Sequence, residues 1–122
     1  MKFINECSTN LQLGQLAQFN EQGLIDTLAA GRRIGLCTSI KTVSVSDDVT
    51  TTELLVAEIA TSGAATISLS ESASWQGCEL YQNGSELSTI QSGPPVAYVI
   101  PKGLGDEKID YIAGDLISIV ML

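Results

Sequence analysis

The chain has 122 residues, 44% of them hydrophobic and 16% charged, so it can bury a core and is long enough for one ordinary domain. Its 14 acidic residues exceed its 6 basic ones, and the net charge of −8 disfavours nucleic acid and anionic membrane surfaces as partners. Histidine is absent and no CxxC pair occurs, which removes the commonest general base and the usual zinc ligands. We therefore expect a protein that is not an enzyme and that has no metal, cofactor or small-molecule substrate.

Three cysteines, Cys7, Cys37 and Cys78, give an odd count at wide spacings, which is typical of a reducing compartment. The first ten residues, MKFINECSTN, lack the apolar segment of a secretory signal. No stretch approaches the roughly 18 consecutive apolar residues of a membrane span. We expect synthesis in a reducing cytoplasm, with all three thiols unpaired.

Apolar and polar residues alternate with a period of two in several segments, as in β-strands with one buried face. Residues 1–13, with Phe3 and Ile4, form an N-terminal arm or a first strand, and a β-barrel-like domain follows at 14–122. Residues 23–30 are compatible with a strand or with a short helical turn. Further alternating runs are RIGLCTSI, ATISLSES, VAYVI and the final LISIVML.

The segment TTTELLVAEIATSG, residues 50–63, is compatible with a strand or with about two turns of helix. Its threonines and Val56 favour the strand at 52–60. In the last segment, Ile117, Ile119 and Met121 are expected to face the interior. The outward row is then Leu116, Val120 and Leu122, which we expect to need cover.

Dense turn signals, such as Asn83-Gly84 between two apolar runs, predict hairpins. The chain also shows an internal two-unit repeat: Gly14 matches Gly77, Asn20 matches Asn83 and Leu24 matches Leu87, each 63 residues on. After a slip of one residue, Gly31 matches Gly93 and Ile34 matches Val96 at a spacing of 62. The expected fold is an all-β, single-domain barrel or sandwich.

The order GQLAQFNEQGLID…GRRIGLCTSI, then GCELYQNGSELST…GPPVAYVIP, resembles the small capsid cement, or decoration, proteins of tailed phages. The second copy departs from the family pattern at Pro94 to Ala97, where an Ile-Gly pair is expected. The resemblance implies a homotrimer on the outer surface of the phage head, in the virion. Its partner would be the major capsid protein, whose subunit contacts it would stabilise.

Contacts with the capsid are expected at residues that combine exposure with aromatic, apolar or positive character. Arg32 and Arg33 are the only doubled positive charge and suit an acidic partner, although they also fit the exposed start of a strand. Trp75 is the lone tryptophan, and it either covers the end of the barrel or anchors an interface. The capsid-contact candidates are Phe3, Ile4, Arg32, Arg33 and Trp75, and the subunit-interface candidates are Leu116, Val120 and Leu122.

Two other functions stay open on the sequence. A phage tail or baseplate adaptor, or another β-rich binding module, would have a similar composition. A trimeric all-β nucleotide hydrolase would have a similar size, but its acidic and Gly-Tyr-x-Gly motifs are missing here.

Overall fold

The structure is a computed structural model that describes residues 1–122, and it consists of ten β-strands and one 3-10 turn at Gly105–Glu107. The expected all-β fold is confirmed. The strands form two antiparallel five-stranded sheets, with orders β1-β5-β4-β2-β3 and β6-β10-β9-β7-β8. Their bounds are β1 Lys2–Glu6, β2 Leu16–Phe19, β3 Ile25–Thr27, β4 Gly35–Ser46, β5 Thr51–Ala60, β6 Gly63–Ser68, β7 Glu79–Asn83, β8 Glu86–Ser88, β9 Ala97–Val99 and β10 Leu116–Met121.

The two segments with ambiguous patterns are both strands. The strand favoured for 52–60 is present as β5. Residues 23–30, compatible in sequence with a strand or a short helical turn, contain the strand β3, Ile25–Thr27, which pairs with β2. Pairing with a neighbouring strand and burial of Ile25 outweigh the weak helical pattern of this segment.

The two sheets are copies of one topology, which confirms the internal repeat. Adding five to each strand number in β1-β5-β4-β2-β3 gives the order of the second sheet, β6-β10-β9-β7-β8. Every neighbouring pair in both sheets is antiparallel. We call residues 2–60 unit 1 and residues 63–121 unit 2. Only Thr61 and Ser62 lie between them.

Hydrogen bonds reproduce the two spacings found in the sequence. The amide of Ile34 donates to the carbonyl of Ala17 at 2.9 Å, and the amide of Val96 donates to the carbonyl of Leu80 at 2.8 Å. The two acceptors, Ala17 and Leu80, are 80 − 17 = 63 residues apart. The two donors, Ile34 and Val96, are 96 − 34 = 62 residues apart. The match of Ile34 with Val96 is therefore confirmed.

The one-residue slip lies in the first hairpin of each unit. Gln18 pairs with Asp26 in unit 1, and Tyr81 pairs with Ser88 in unit 2, so β3 corresponds to β8 at 88 − 26 = 62. The residue equivalent to Leu87 is thus Ile25, and the expected match of Leu24 with Leu87 is wrong by one position. The turn of unit 1 is one residue longer than the tight turn at Gly84, where φ is +60°.

Each unit has its own core, and the two cores correspond at five strand positions. A cluster of seven buried residues lies wholly within unit 1: Cys7, Leu11, Ala17, Ile25, Cys37, Ala57 and Ile59. The strand registers match the last five of these with Leu80, Leu87, Val99, Ile117 and Ile119, all of which lie in the core of unit 2. Duplication therefore explains the architecture down to the inward-facing side chains.

Unit 1 closes on itself. The end of β1 meets β3 through a bridge between Cys7 and Ile25, and the Ser8 amide donates to the Ile25 carbonyl at 2.8 Å. The Ser8 hydroxyl also donates to Asp26 Oδ1 at 2.7 Å. This hydrogen bond, together with one from the Thr27 amide, holds the pKa of Asp26 below its ordinary value, against a smaller effect of burial.

Unit 2 is closed by unit 1. No bridge joins β6 to β8, and residues 12–15 of unit 1 face Ile67–Ser70, Glu86 and Leu87 across a cleft instead. The Leu16 amide donates to the Ser85 carbonyl at 2.7 Å. Four residues of unit 1 consequently belong to the 17-residue core that unit 2 builds: Leu16, Leu28, Leu36 and Ala60.

No helix in the structure has the length and apolar character needed to cross a membrane.

Candidate partner-binding site

The strands β4 and β5 extend well beyond their neighbours in the first sheet. β2 pairs with β4 only at Gly35 and Leu36, and β1 pairs with β5 only from Val56 to Ala60. The remaining residues, 41–55, form a two-stranded ribbon that we call the arm. Residues 41–53 of the arm are all exposed. An isolated two-stranded ribbon is marginally stable in water, so this arm depends on the sheet from which it projects.

The turn of the arm is held by its own side chains. Asp47 Oδ1 accepts hydrogen bonds from the amides of Val49 at 2.8 Å and Thr50 at 2.6 Å. These two bonds lower the pKa of the Asp47 carboxyl. The hydroxyls of Ser46 and Thr51 lie 3.2 Å apart across the ribbon. The turn is therefore ordered although it is fully exposed.

The two faces of the arm differ in chemistry. Val43 lies opposite Leu54, and Val45 opposite Thr52, so one face is apolar except at Thr52. The other face is polar except at Leu55, and it carries Thr42, Ser44, Ser46, Thr51 and Glu53. An apolar face on an exposed ribbon costs free energy in water unless a partner covers it.

The apolar face continues onto the body of unit 1. Val56 is two residues beyond Leu54 on the same strand, and Ile4 lies on the same side of β1, 67% exposed. A shallow groove is lined by Ile4, Ser39, Lys41, Val43, Val56 and Glu58. We call the apolar set Ile4, Val43, Val45, Leu54 and Val56 the valine face. Val49 lies at the tip of the arm, 92% exposed.

The expected capsid-contact residues lie on different surfaces. Ile4 belongs to the valine face, whereas Phe3 points to the opposite side of β1 and stacks on Phe19 at 6.2 Å between ring centroids. Arg33 Nη1 donates to Gln82 Oε1 of unit 2 at 2.7 Å, and the adjacent Arg32 is exposed.

Trp75 is half-buried in unit 2, with Lys108 Nζ 5.4 Å from the centroid of its ring and its amide bonded to Asp110. Trp75 thus lies beside the connection between β9 and β10, and it belongs to neither buried cluster. A capsid contact at Phe3, Ile4, Arg32, Arg33 or Trp75 stays a prediction.

The last strand alternates as expected. Ile117, Ile119 and Met121 are buried, while Leu116 and Leu122 are exposed and Val120 is half-buried. The outward row faces solvent on the outer side of the second sheet. A subunit contact at Leu116, Val120 and Leu122 stays a prediction.

Other clefts and side-chain clusters offer less. The largest cleft, about 660 Å³, lies between the units and is lined by 12 residues, of which Glu86 is the only ionisable one. Glu86 accepts a hydrogen bond from Gln15 Nε2 at 3.4 Å. No group of three or more His, Cys, Asp or Glu side chains is placed to hold a metal ion. The arm is thus the most distinctive exposed feature of the molecule.

Sequence reasoning missed the arm, although a signal was present. The segment TVSVS alternates, and it is followed by Asp47-Asp48, which is a turn signal, and by the threonine-rich start of the next strand. These signals indicate a hairpin, but they do not show that the neighbouring strands β1 and β2 end before it.

Comparison of the chain with family models, characterised proteins and solved structures gives no significant match. The candidate site therefore has to be interpreted from its own geometry.

Proposed function

We propose that the protein is a structural protein of a phage virion, a capsid decoration protein that attaches to the head through the valine face of its arm. The observation that carries the proposal is this exposed apolar face on a projecting, ordered ribbon. Burying a fully exposed valine side chain is worth about 1.5 kcal/mol, and Val43 and Val45 are 43% and 51% exposed, so each can add roughly half of that to a complex. The resemblance to cement proteins supplies the kind of partner, the major capsid protein.

The chemistry around the valine face defines what the partner must offer. Lys41, Lys2 and Glu58 border it, with Lys2 Nζ 3.5 Å from Glu58 Oε1. The tip carries Asp47, Asp48 and the exposed Val49. The partner should therefore offer an apolar groove for the valine face, with positive charge at the place where the acidic tip of the arm would lie. The overall charge of −8 favours the solubility of the unbound protein.

The experiment compares phage heads with and without the protein by cryo-electron microscopy. We expect extra density at regular positions on the outer surface, with the arm against the major capsid protein. Copy numbers that follow the capsid lattice support a decoration protein. A few copies at the neck or tail would instead identify an adaptor.

A matched pair of variants tests the surface itself. Val45→Asp places a charge on the valine face, and Thr42→Asp places the same charge on the opposite face of the same strand. Val45→Asp should reduce binding to heads at least tenfold, whereas Thr42→Asp should leave it nearly unchanged. Equal binding by both variants would contradict attachment through the valine face.

A further inference from the structure

The arm has a free strand edge in addition to its apolar face. The Asp47 amide bonds the Thr50 carbonyl at 2.9 Å, which makes this a hydrogen-bonded pair. Hydrogen-bonded and non-hydrogen-bonded pairs alternate along an antiparallel ladder. Val45 and Val43 therefore direct their backbone groups towards β5, and Ser46, Ser44 and Thr42 direct theirs away from it.

A bond elsewhere in the sheet supports this assignment. Thr42 lies opposite Leu55, and the Leu55 carbonyl accepts a hydrogen bond from the Cys7 amide at 2.9 Å on the far side of β5. Leu55 thus turns its backbone away from β4, as a non-hydrogen-bonded pair requires. The N–H and C=O groups of Thr42, Ser44 and Ser46 consequently point into solvent along the edge of β4.

This edge lacks the usual protection against strand pairing. Edge strands are commonly very short, or carry charges, prolines or bulges. The strands β3 and β8 have three residues each, and the edge strand β1 carries Lys2 and Glu6. The only irregularity in β4 lies at its base, between Cys37 and Ser39. From residue 42 to residue 46 the strand reads TVSVS, without charge or proline.

We propose that this edge of β4 pairs antiparallel with the same edge of a second copy, about a twofold axis at Ser44. In this register Ser44 faces Ser44 of the second copy, and Thr42 faces Ser46 of the second copy. Each edge-facing N–H and C=O of the three residues then finds a partner. The edge is self-complementary because its outward groups are evenly spaced on both sides of Ser44.

The side chains match in the same register. Val43 lies beside Val45 of the second copy, so apolar residues meet on one face and hydroxyls meet on the other. Lys41 lies beside Asp47 of the second copy, and the twofold axis repeats this contact. Opposite charges across a strand pair are favourable, whereas like charges are not. No like charges oppose each other along the edge.

The pairing goes beyond the proposed function, because it uses the backbone edge and leaves the valine face uncovered. Two arms joined in this way form a four-stranded ribbon whose valine faces are continuous. The second copy therefore doubles the apolar surface that is offered to a partner. Its test does not need that partner.

Cysteine scanning tests the register in the full-length chain, with Cys78→Ser to remove the half-buried native thiol. Hydrogen-bonded antiparallel residues have Cα atoms about 5.5 Å apart, within the usual range for a disulfide. Ser44→Cys should therefore form a covalent dimer under mild oxidation, with twice the chain mass of 12.9 kDa on a denaturing gel.

Two neighbouring variants are the matched controls. Thr42→Cys alone and Ser46→Cys alone should not cross-link, because each would be roughly 13 Å from its own copy in this register. An equimolar mixture of the two should cross-link. Failure of Ser44→Cys to dimerise, or equal dimerisation of all three single variants, would overturn the proposal.

A proline variant tests the edge without any disulfide. Proline is accepted on an edge strand where the N–H faces solvent, so Ser44→Pro should fold, with a thermal midpoint near that of Ser44→Ala. In sedimentation, Ser44→Ala should associate like the wild type, and Ser44→Pro should associate at least tenfold more weakly. A wild type that does not associate, or a Ser44→Pro variant that associates equally well, refutes the pairing.

Discussion

The backbone amide of Leu16 in unit 1 donates a hydrogen bond to the carbonyl of Ser85 in unit 2. The two units have the same topology, but they contribute different faces to this contact. Leu16 is fully buried in the core that unit 2 builds. Its equivalent in unit 2, 63 residues on, is Glu79, which is only half-buried. The outer face of unit 1 is thus covered by unit 2, while the corresponding outer face of unit 2 is open.

Leu16→Ala should therefore be strongly destabilising. Removing a fully buried leucine side chain costs about 2–5 kcal/mol in the free energy of unfolding. The matched control is Glu79→Gln at the equivalent position, which keeps an acceptor for the Tyr81 hydroxyl and should cost much less. Urea denaturation followed by Trp75 fluorescence measures both. Similar effects for the two variants would show that the units pack symmetrically.

Asp26→Asn should lower the free energy of unfolding at neutral pH, and it should make that free energy less dependent on pH in the acid range. The pKa of Asp26 is lowered in the folded chain, chiefly by the Ser8 hydroxyl. Its contribution is present above the ordinary Asp pKa of about 3.9 and is lost as the pH falls through the folded pKa. The difference between wild type and variant should thus shrink as the pH falls below about 4.

Thermal unfolding between pH 7 and pH 2.5 provides the measurement. Glu21→Gln removes one negative charge from an exposed turn and controls for the change in net charge. If the thermal midpoints of wild type and Asp26→Asn differ by the same amount at every pH, the Asp26 carboxylate does not stabilise the contact between β1 and β3.

The three thiols, all unpaired in the structure, should react at very different rates. Burial raises the pKa of Cys7 and raises that of Cys37 to about 11, so few thiolates exist at pH 8. Cys78 is half-buried and should be alkylated first. Mass spectrometry of a time course with iodoacetamide should show one fast and two slow sites. Rapid modification of Cys37 in the folded chain would contradict the closed core of unit 1.

Asp47→Ala should loosen the arm without unfolding the body. The variant loses both side-chain acceptors of the turn, which are the bonds from Val49 and Thr50. Hydrogen exchange of the arm amides should become faster, while the amides of Leu36 and Ile59 keep their protection. The control Asp48→Ala changes the neighbouring carboxylate, which makes no such bonds. Unchanged exchange in Asp47→Ala would show that strand pairing alone orders the arm.

Local patterns in the sequence predict the strands and the duplication well. Inward residues of β10 and the pair Ile34 and Val96 follow directly from alternation and from turn spacing. The exact hairpin match fails at Leu24, because a turn of different length shifts the register and the sequence alone does not show where. The local pattern at 23–30 does not decide between strand and helical turn, because the pairing of β3 with β2 is a tertiary effect.

The candidate site was harder to predict than the fold. Ile4 was expected as a contact residue and does lie on the valine face, but its companions Val43 and Val45 come from a strand 40 residues away. Their exposure depends on where β1 and β2 stop. That ending is set by the packing of unit 1, which no local pattern records.

The two-residue connection between the units has a kinetic and thermodynamic consequence. Thr61 and Ser62 are both bonded to Met1, through the Thr61 amide at 2.8 Å and the Ser62 carbonyl at 2.8 Å. A tether this short holds unit 1 near unit 2 at an effective concentration on the order of millimolar or higher. The four residues that unit 1 contributes to the core of unit 2 are therefore present at a local concentration that a separate chain would reach only at millimolar levels.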